Sequence, residues 1–185
     1  MRCAVAVAPL RAEPAADAEQ VTQALQGEPL RVEERRASWA RVLTAYDYPG
    51  WLLHEALEEG EGVFPAPEQA PPLELARTYL GAPYLWGGMT DGGIDCSGLV
   101  HMAYRRSGRL VPRDAWQQAE AGLTVASPEP GDLVFYADPG RAVDHVAFWA
   151  GGGRVLHATG RDGLGVVEED ELPSLRERRT LAVRL

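Results

Sequence analysis

The chain has 185 residues, of which 45% are hydrophobic, and its formal net charge is −9 at pH 7. This length suffices for one medium domain, or for a small domain followed by a medium one. The negative charge argues against nucleic acid and against an anionic membrane as partners, because both would repel the protein. No apolar run approaches the length of a membrane span, and the few residues before Pro9 are too short a segment for the core of a secretory signal. We therefore expect a cytoplasmic protein.

Residues 1–62 predict a small all-β domain. Its short apolar runs are separated by turn-forming residues such as Asp47-Tyr48-Pro49-Gly50. Several short strands in so small a unit are typical of a small barrel. The predicted strands cover residues 4–8, 29–33, 39–44 and 51–54.

Residues 63–72 predict a linker, and residues 73–185 predict a second domain. The linker contains four prolines, which favour extended, semi-rigid geometry. Residues 73–80 then predict a helix that stops at Gly81. Near the end of the chain, the acidic residues 168–171 lie close to a group of arginines, and we interpret this region as a solvated, charge-compensated surface.

Cys96 is the candidate nucleophile of the second domain. It opens an apolar segment that predicts a helix, and the positive end of a helix dipole favours a thiolate. Gly92-Gly93 before it and Gly98 after it allow a close backbone approach and an exposed thiol. The alternative is a small buried structural cysteine, the commoner role of a free cysteine. If Cys96 is the nucleophile, a disulfide with the second cysteine, Cys3, is excluded. Cys3 lies in an alternating apolar run that predicts a buried strand position.

Two histidines lie in short β-like runs of the second domain. His145 is followed by alternating residues, so its imidazole can face the cysteine helix while Val146 and Phe148 enter the core. A histidine beside the thiol would act as the base, and His157 would hold that imidazole in the required tautomer. From the residues alone, this pattern indicates a Cys-His hydrolase or acyltransferase that needs no metal and no cofactor.

Several motifs of the second domain follow one another in a specific order and spacing. They are Tyr84-Leu85-Trp86-Gly87-Gly88, Asp95-Cys96-Ser97-Gly98-Leu99-Val100, Pro130-Gly131-Asp132-Leu133-Val134-Phe135, Asp144-His145-Val146-Ala147 and His157-Ala158. The series resembles the NlpC/P60 cysteine peptidases over about residues 70–185.

This resemblance implies a papain-like α+β fold, in which the cysteine begins a helix packed on an antiparallel sheet that carries the histidines. It implies hydrolysis of bacterial cell-wall peptides at a γ-D-glutamyl bond. The backbone N–H of Cys96 is a natural donor to the oxyanion, and the resemblance implies that the hydroxyl of Tyr84 is the second donor. Simple packing is the alternative role for Tyr84.

The first domain looks like a bacterial SH3-like (SH3b) domain, of which residues 39–42 and 48–52 resemble the later strands. The alternative is an unrelated small β-domain with two core tryptophans. The combination of the two domains is similar to the YkfC-like subgroup of NlpC/P60 enzymes, the γ-D-glutamyl-L-diamino acid endopeptidases.

The subgroup also implies a set of substrate contacts. Asp95 and Ser97 would hold the free amino group of an N-terminal L-Ala, and Trp86 offers an aromatic wall. Tyr48 and Glu13 of the SH3b domain would close the far side of the pocket. The alternatives are a helix N-cap for Asp95 and a solvated loop position for Glu13.

We therefore expect an endopeptidase that cuts murein peptides with a free N-terminal L-Ala between γ-D-Glu and the diamino acid, in peptidoglycan turnover or recycling. The murein peptide is the expected partner, and a monomer is the simplest oligomeric state. The alternatives are an acyltransferase or amidase of the same fold, and a non-catalytic cell-wall-binding protein. The presence of Cys96, His145 and His157 together argues against the last of these.

Overall fold

The computed structural model describes residues 1–185, which form two compact units, Met1–Ala66 and Pro67–Leu185. The boundary between them lies within the proline-bearing segment. None of the α-helices combines the length and the apolar character that crossing a membrane requires.

The N-terminal unit consists of short strands and one turn of 3-10 helix at His54–Ala56. Five strands form an antiparallel sheet in the order β3-β2-β6-β5-β4, and β1 pairs with β7. The strands are β1 Arg2–Cys3, β2 Val7–Arg11, β3 Gln20–Leu25, β4 Leu30–Arg36, β5 Trp39–Thr44, β6 Pro49–Leu53 and β7 Leu57–Glu58.

Alternation along the strands builds the core of this unit. In β5, Ala40, Val42 and Thr44 are buried and the residues between them are partly exposed. Cys3 is fully buried in the same core, as its strand pattern predicted. Strand β3 is absent from the sequence prediction because half of its residues are polar, yet Thr22, Gln23 and Ala24 are buried. The strand predicted over residues 4–8 was wrong at its start, since the pairing is interrupted between β1 and β2.

The C-terminal unit has one large antiparallel sheet with helices, in the order β10-β15-β11-β12-β13-β14, and a separate β8–β9 pair. One turn of 3-10 helix at Arg161–Gly163 connects β13 to β14. The predicted α+β class is confirmed. The elements are α1 Pro72–Arg77, β8 Met89–Thr90, β9 Gly93–Ile94, α2 Cys96–Arg106, α3 Ala115–Glu120, β10 Leu123–Thr124, β11 Leu133–Tyr136, β12 His145–Gly151, β13 Arg154–Thr159, β14 Gly165–Asp170, α4 Pro173–Arg178 and β15 Arg179–Arg184.

Helix α1 is shorter than the sequence predicted. It ends at Arg77, and the hydroxyl of Thr78 donates a hydrogen bond to the carbonyl of Leu75 at 2.7 Å. This side-chain bond, together with backbone bonds of the i to i−3 type, tightens the end of the helix. The turn that follows passes through Gly81, whose φ of +84° suits a residue without a Cβ.

Helix α2 packs against the middle of the large sheet. Ten of its residues, Cys96 through Arg105, are buried. The ring of Tyr104 stacks on Phe148 of β12 with 6.1 Å between the ring centroids. Such a pair contributes about 0.5–1.5 kcal/mol beyond the area that it buries. This packing fixes the start of α2 beside the strand that carries His145.

Candidate active site

Cys96 is the first residue of α2, and Asp95 is its N-cap. The backbone of Asp95 is extended, and its Oδ1 accepts a hydrogen bond from the N–H of Gly98 at 2.6 Å. The first turn is packed closely, because a Cβ on Gly98 would collide with the carbonyl oxygen of Gly88. Cys96 itself is 7% exposed, so the expectation of an exposed thiol was wrong.

The carboxylate of Asp95 has a partner that the sequence analysis did not assign. Arg113 donates from Nη1 to Oδ1 at 3.0 Å and from Nη2 to Oδ2 at 2.8 Å. Arg113 also donates to the Ser97 hydroxyl at 2.8 Å, and the N–H of Gly87 donates to Asp95 Oδ2 at 2.7 Å. Asp95 and Arg113 are 5% and 1% exposed. The structure thus gives Asp95 its alternative role as an N-cap and pairs it with Arg113, while its contact with substrate stays a prediction.

The two histidines lie on adjacent antiparallel strands, His145 at the start of β12 and His157 within β13. The atoms His145 Nε2 and His157 Nδ1 are 2.7 Å apart, and the rings meet edge to face. On its other side, the ring of His145 packs against Tyr136 of β11 with 5.7 Å between centroids. Two neighbouring strands therefore hold the imidazole of His145.

The sulfur of Cys96 lies beside the start of β12, because it interacts with the backbone N–H of Val146, the residue after His145. Burial is the largest influence on this thiol and, with the negative charge of Asp95, raises the pKa of Cys96 to about 12. The N–H groups of Val146 and Ser97 and the charge of Arg113 oppose that rise without cancelling it. Burial thus outweighs the helix-end effect that favours a thiolate.

Burial has the opposite effect on the pKa of His145, the candidate base. It lowers the pKa of His145 to about 3, and the nearby His157 and Arg178 lower it further. A thiol with such a high pKa keeps its proton between pH 5 and 8, and an imidazole with such a low pKa takes up none over the same range. The resting pair is therefore a neutral thiol and a neutral imidazole, from which a proton must move during the reaction.

The chain of polar contacts continues behind His157. Its Nε2 lies 3.1 Å from Oε1 of Glu169 on β14, and Arg161 donates to both oxygens of that carboxylate at 2.7 and 2.6 Å. Glu169 is on the same face as His157 because it lies two residues beyond Val167, the direct partner of His157.

The interpretation of residues 168–171 as a solvated surface was wrong for Glu169 and for Glu171. Glu171 is 3% exposed and accepts hydrogen bonds from the hydroxyl of Tyr136 and from two arginines, Arg176 and Arg179. The alternation of residues along β14 could have identified Glu169 as a site residue, since it places Glu169 on the same face of the sheet as the histidines. Nothing comparable in the sequence pointed to Arg113, which is 18 positions away from its partner.

Tyr84 lies at the edge of the site. It forms an isolated bridge with Ile94, two residues before the nucleophile. Burial raises the pKa of Tyr84, and the neighbouring Cys96 and Asp95 raise it further. Its phenol therefore keeps its proton at neutral pH and can donate a hydrogen bond.

The remaining predicted residues occupy different settings. Trp86 is 57% exposed, and Ser97 is buried against Arg113. Tyr48 is half-buried and Glu13 is exposed, both in the N-terminal unit, so their predicted contacts with substrate stay predictions. No group of three histidine, cysteine or acidic side chains is arranged to hold a metal ion.

Comparison with known proteins places these features in a family. Residues 81–181 match the NlpC/P60 family, and residues 10–57 match the bacterial dipeptidyl-peptidase Sh3 domain. The crystal structure of a NlpC/P60 family protein from Bacillus cereus is similar, with a TM-score of 0.60 and 25% identity. That alignment covers 99% of this chain and 62% of the other.

Two curated relatives carry the name gamma-D-glutamyl-L-lysine dipeptidyl-peptidase. The protein from Bacillus subtilis is 44% identical over 90 residues, which are 46% of this chain and 30% of that protein. The protein from Bacillus cereus is 33% identical over 124 residues, which are 64% of this chain and 37% of that protein. The chain thus matches about a third of the length of each relative. The resemblance predicted from the motifs is confirmed, and the chain belongs to the NlpC/P60 family.

Proposed function

We propose that this protein is a cysteine peptidase that cleaves murein peptides between γ-D-Glu and the diamino acid. The observation that carries this proposal is the position of Cys96 at the start of α2, with its sulfur beside the backbone N–H of Val146, the residue that follows His145. The imidazole of His145 is in turn hydrogen-bonded to His157. The names of the two Bacillus relatives support the γ-D-glutamyl bond as the target.

In the proposed reaction, the sulfur of Cys96 attacks the γ-carbonyl carbon of D-Glu. Because the resting thiol is protonated, its proton passes to His145 as the carbon–sulfur bond forms. The backbone N–H of Cys96 and the hydroxyl of Tyr84 stabilise the negative charge on the carbonyl oxygen. His145 then gives the proton to the leaving amine, and water hydrolyses the thioester to release the peptide acid.

The proposed substrate carries a free N-terminal L-Ala, whose ammonium would lie near Asp95 and Ser97. The carboxylate of Asp95 already accepts hydrogen bonds from Arg113 and from the N–H groups of Gly87 and Gly98. An ammonium would therefore share this carboxylate with Arg113 instead of being its sole counter-charge. The attraction for the free amine is accordingly smaller than for an unpaired buried carboxylate.

A free N-terminal L-Ala arises when the stem peptide has been released from its sugar. We therefore place the reaction in peptidoglycan turnover or recycling, on released peptides in the cytoplasm. A stem peptide that is still joined to its sugar lacks the amine and is expected to be a poor substrate.

The direct test is incubation of the protein with L-Ala-γ-D-Glu-L-Lys and with the corresponding diaminopimelate peptide, followed by mass spectrometry. We expect the dipeptide L-Ala-D-Glu and the free diamino acid as products, and no products with Cys96→Ala. A sample with an added amine acceptor distinguishes hydrolysis from acyl transfer, because a transferase would form a new amide. The absence of cleavage of both peptides would refute the proposal.

A further inference from the structure

Glu169 and Arg161 stand at the end of a continuous chain of contacts that begins at the candidate base. His145 Nε2 lies 2.7 Å from His157 Nδ1, and His157 Nε2 lies 3.1 Å from Glu169 Oε1. Arg161 donates from Nη2 to both oxygens of Glu169. The ring of His157 is 1% exposed, whereas the side chains of Glu169 and Arg161 are 23% and 34% exposed.

The chain determines which nitrogen atoms carry protons. A carboxylate only accepts hydrogen bonds, so Nε2 of His157 must be the protonated nitrogen. Neutral His157 then has an unprotonated Nδ1, which accepts from the Nε2–H of His145. The remaining nitrogen of His145, its Nδ1, is left with a free lone pair and can take a proton. One carboxylate on β14 therefore specifies the tautomers of both histidines.

We propose that Glu169 is a positioning residue that fixes the tautomer of His157 and raises the basicity of His145, and that Arg161 moderates this effect. The inference deepens the proposed function, because it assigns the group that prepares the base of that site. Its central measurement is the reactivity of Cys96, which does not depend on the identity of the peptide substrate.

The two members of the ion pair shift the pKa of His157 in opposite directions. Burial lowers the pKa of His157, Glu169 opposes that shift, and Arg161 adds to it. Because His157 accepts the hydrogen bond of His145, removing the carboxylate of Glu169 should make His145 a weaker base. Removing the guanidinium of Arg161 should make His145 a stronger base. A role limited to holding β13 and β14 together would give both substitutions the same sign.

Other titratable and charged groups surround Cys96 and His145, and they remain unchanged in the variants below. They are Asp95 at the start of α2, Arg113 beside it, Tyr84, Tyr136 on β11, Asp144 before β12 and Arg178 on α4.

The experiment measures the rate of Cys96 alkylation by iodoacetamide between pH 5 and 10 in the full chain. Mass spectrometry of the digested protein separates Cys96 from Cys3, and alkylation of Cys3, which is fully buried in the other unit, would report unfolding. The variants are Glu169→Gln and Arg161→Gln, each checked for folding by circular dichroism. At pH 7 we expect about a tenfold slower reaction in Glu169→Gln. In Arg161→Gln we expect a reaction faster by about 1.5- to 5-fold, as for a partly exposed ion pair.

Glu168→Gln is the matched control. Glu168 is the neighbouring residue of β14, its side chain is 19% exposed, and it pairs with Arg77 at 2.8 Å instead of with a histidine. We expect this variant to keep the alkylation profile of the wild type. Shifts of equal sign in Glu169→Gln and Arg161→Gln, or no shift in either, would overturn the inference, as would an equal shift in Glu168→Gln. If the predicted shifts occur but no murein peptide is cleaved, the proposed function fails and the inference stands.

Discussion

The site is supported by two carboxylate–arginine pairs that differ in their exposure to solvent. Asp95 and Arg113 lie beneath the nucleophile, with side chains 7% and 1% exposed. Glu169 and Arg161 lie behind the base, with side chains 23% and 34% exposed. Both arginines contact both carboxylate oxygens, Arg113 through Nη1 and Nη2 and Arg161 through Nη2 alone.

Burial gives the two pairs different functions. A buried ion pair is costly to break, because the remaining charge has no solvent to stabilise it. A partly exposed pair can lose one member and be compensated by water, so its effect on stability is small. The Asp95–Arg113 pair thus maintains the start of α2, and the Glu169–Arg161 pair can adjust the base without destabilising the sheet.

Removing the reacting groups themselves gives the largest expected loss of activity, with which the effects of the two carboxylate–arginine pairs can be compared. Cys96→Ala should reduce kcat/KM for the tripeptide by about 10⁴-fold or more, and His145→Ala by nearly as much, because the residues act as a unit. His157→Ala should cost about 10²-fold, since water can partly replace an orienting group. The measurement is product formation by mass spectrometry, with circular dichroism as the control for folding. Near-wild-type turnover in Cys96→Ala would contradict the mechanism.

Arg113→Met and Arg161→Met compare the two pairs directly. Arg113→Met should lower the free energy of unfolding by about 3–5 kcal/mol, because it leaves the carboxylate of Asp95 buried without its counter-charge. Arg161→Met should lower it by about 1 kcal/mol or less. Chemical denaturation followed by circular dichroism measures both values. Equal losses in the two variants would show that burial is not what separates the pairs.

Two buried neutral histidines make stability depend on pH: His101, which is near Arg113, and His145, which is hydrogen-bonded to His157. Burial lowers the pKa of His101 to about 3, with Arg113 and Arg105 adding to the shift, and burial lowers that of His145 to about 3. Below pH 6.5 the unfolded chain binds protons that the folded chain does not. Stability should therefore fall as the pH drops, by about 2 kcal/mol per histidine between pH 6.5 and 5.

Denaturation curves at pH 5, 6 and 7 measure this loss, and each histidine can be removed in turn. His101→Gln and His145→Gln should each reduce the pH dependence by about 2 kcal/mol over that interval. A variant that keeps the full pH dependence would show that folding does not lower the pKa of the histidine that was replaced.

The smallest expected effect concerns the N-terminal amine of the substrate. Because Arg113 already pairs with Asp95, loss of the ammonium leaves no unpaired carboxylate. Acetylation of the α-amine of L-Ala-γ-D-Glu-L-Lys should therefore lower kcat/KM by only about tenfold, the lower end of the range for one charge-assisted hydrogen bond. A peptide acetylated at the lysine side chain is the control for added bulk. Equal rates for the free and the α-acetylated peptide would remove Asp95 from amine recognition, and a loss above about 10³-fold would show that the carboxylate acts as if unpaired.

The parts of the site that local sequence controls were predictable. Asp95 before an apolar helical segment predicts an N-cap, and the structure begins α2 at Cys96. The alternating residues after His145 and around His157 predict the two strands, and these pair as neighbours. The pairing of two strands that are joined by a short turn can be predicted from the local sequence alone.

The supporting residues depend on distant pairings, and the sequence does not specify those. Arg113 reaches Asp95 from the segment between α2 and α3, and Arg161 reaches Glu169 from the turn between β13 and β14. The protonation state of the Cys96 thiol was also beyond the sequence, because it follows from burial by the sheet and not from the helix terminus alone. In the N-terminal unit, β3 was missed for a related reason, since polar residues such as Thr22 are buried by the strands around them.

The buried thiol of Cys96 has a consequence for the lifetime of the protein under oxidative stress. Peroxides oxidise the thiolate, and the first product, a sulfenic acid, progresses to irreversible acids when more oxidant is present. A thiol whose pKa is raised to about 12 presents almost no thiolate at neutral pH. We therefore expect Cys96 to resist hydrogen peroxide in the resting protein, since the proton leaves the sulfur only as bond formation with the substrate begins.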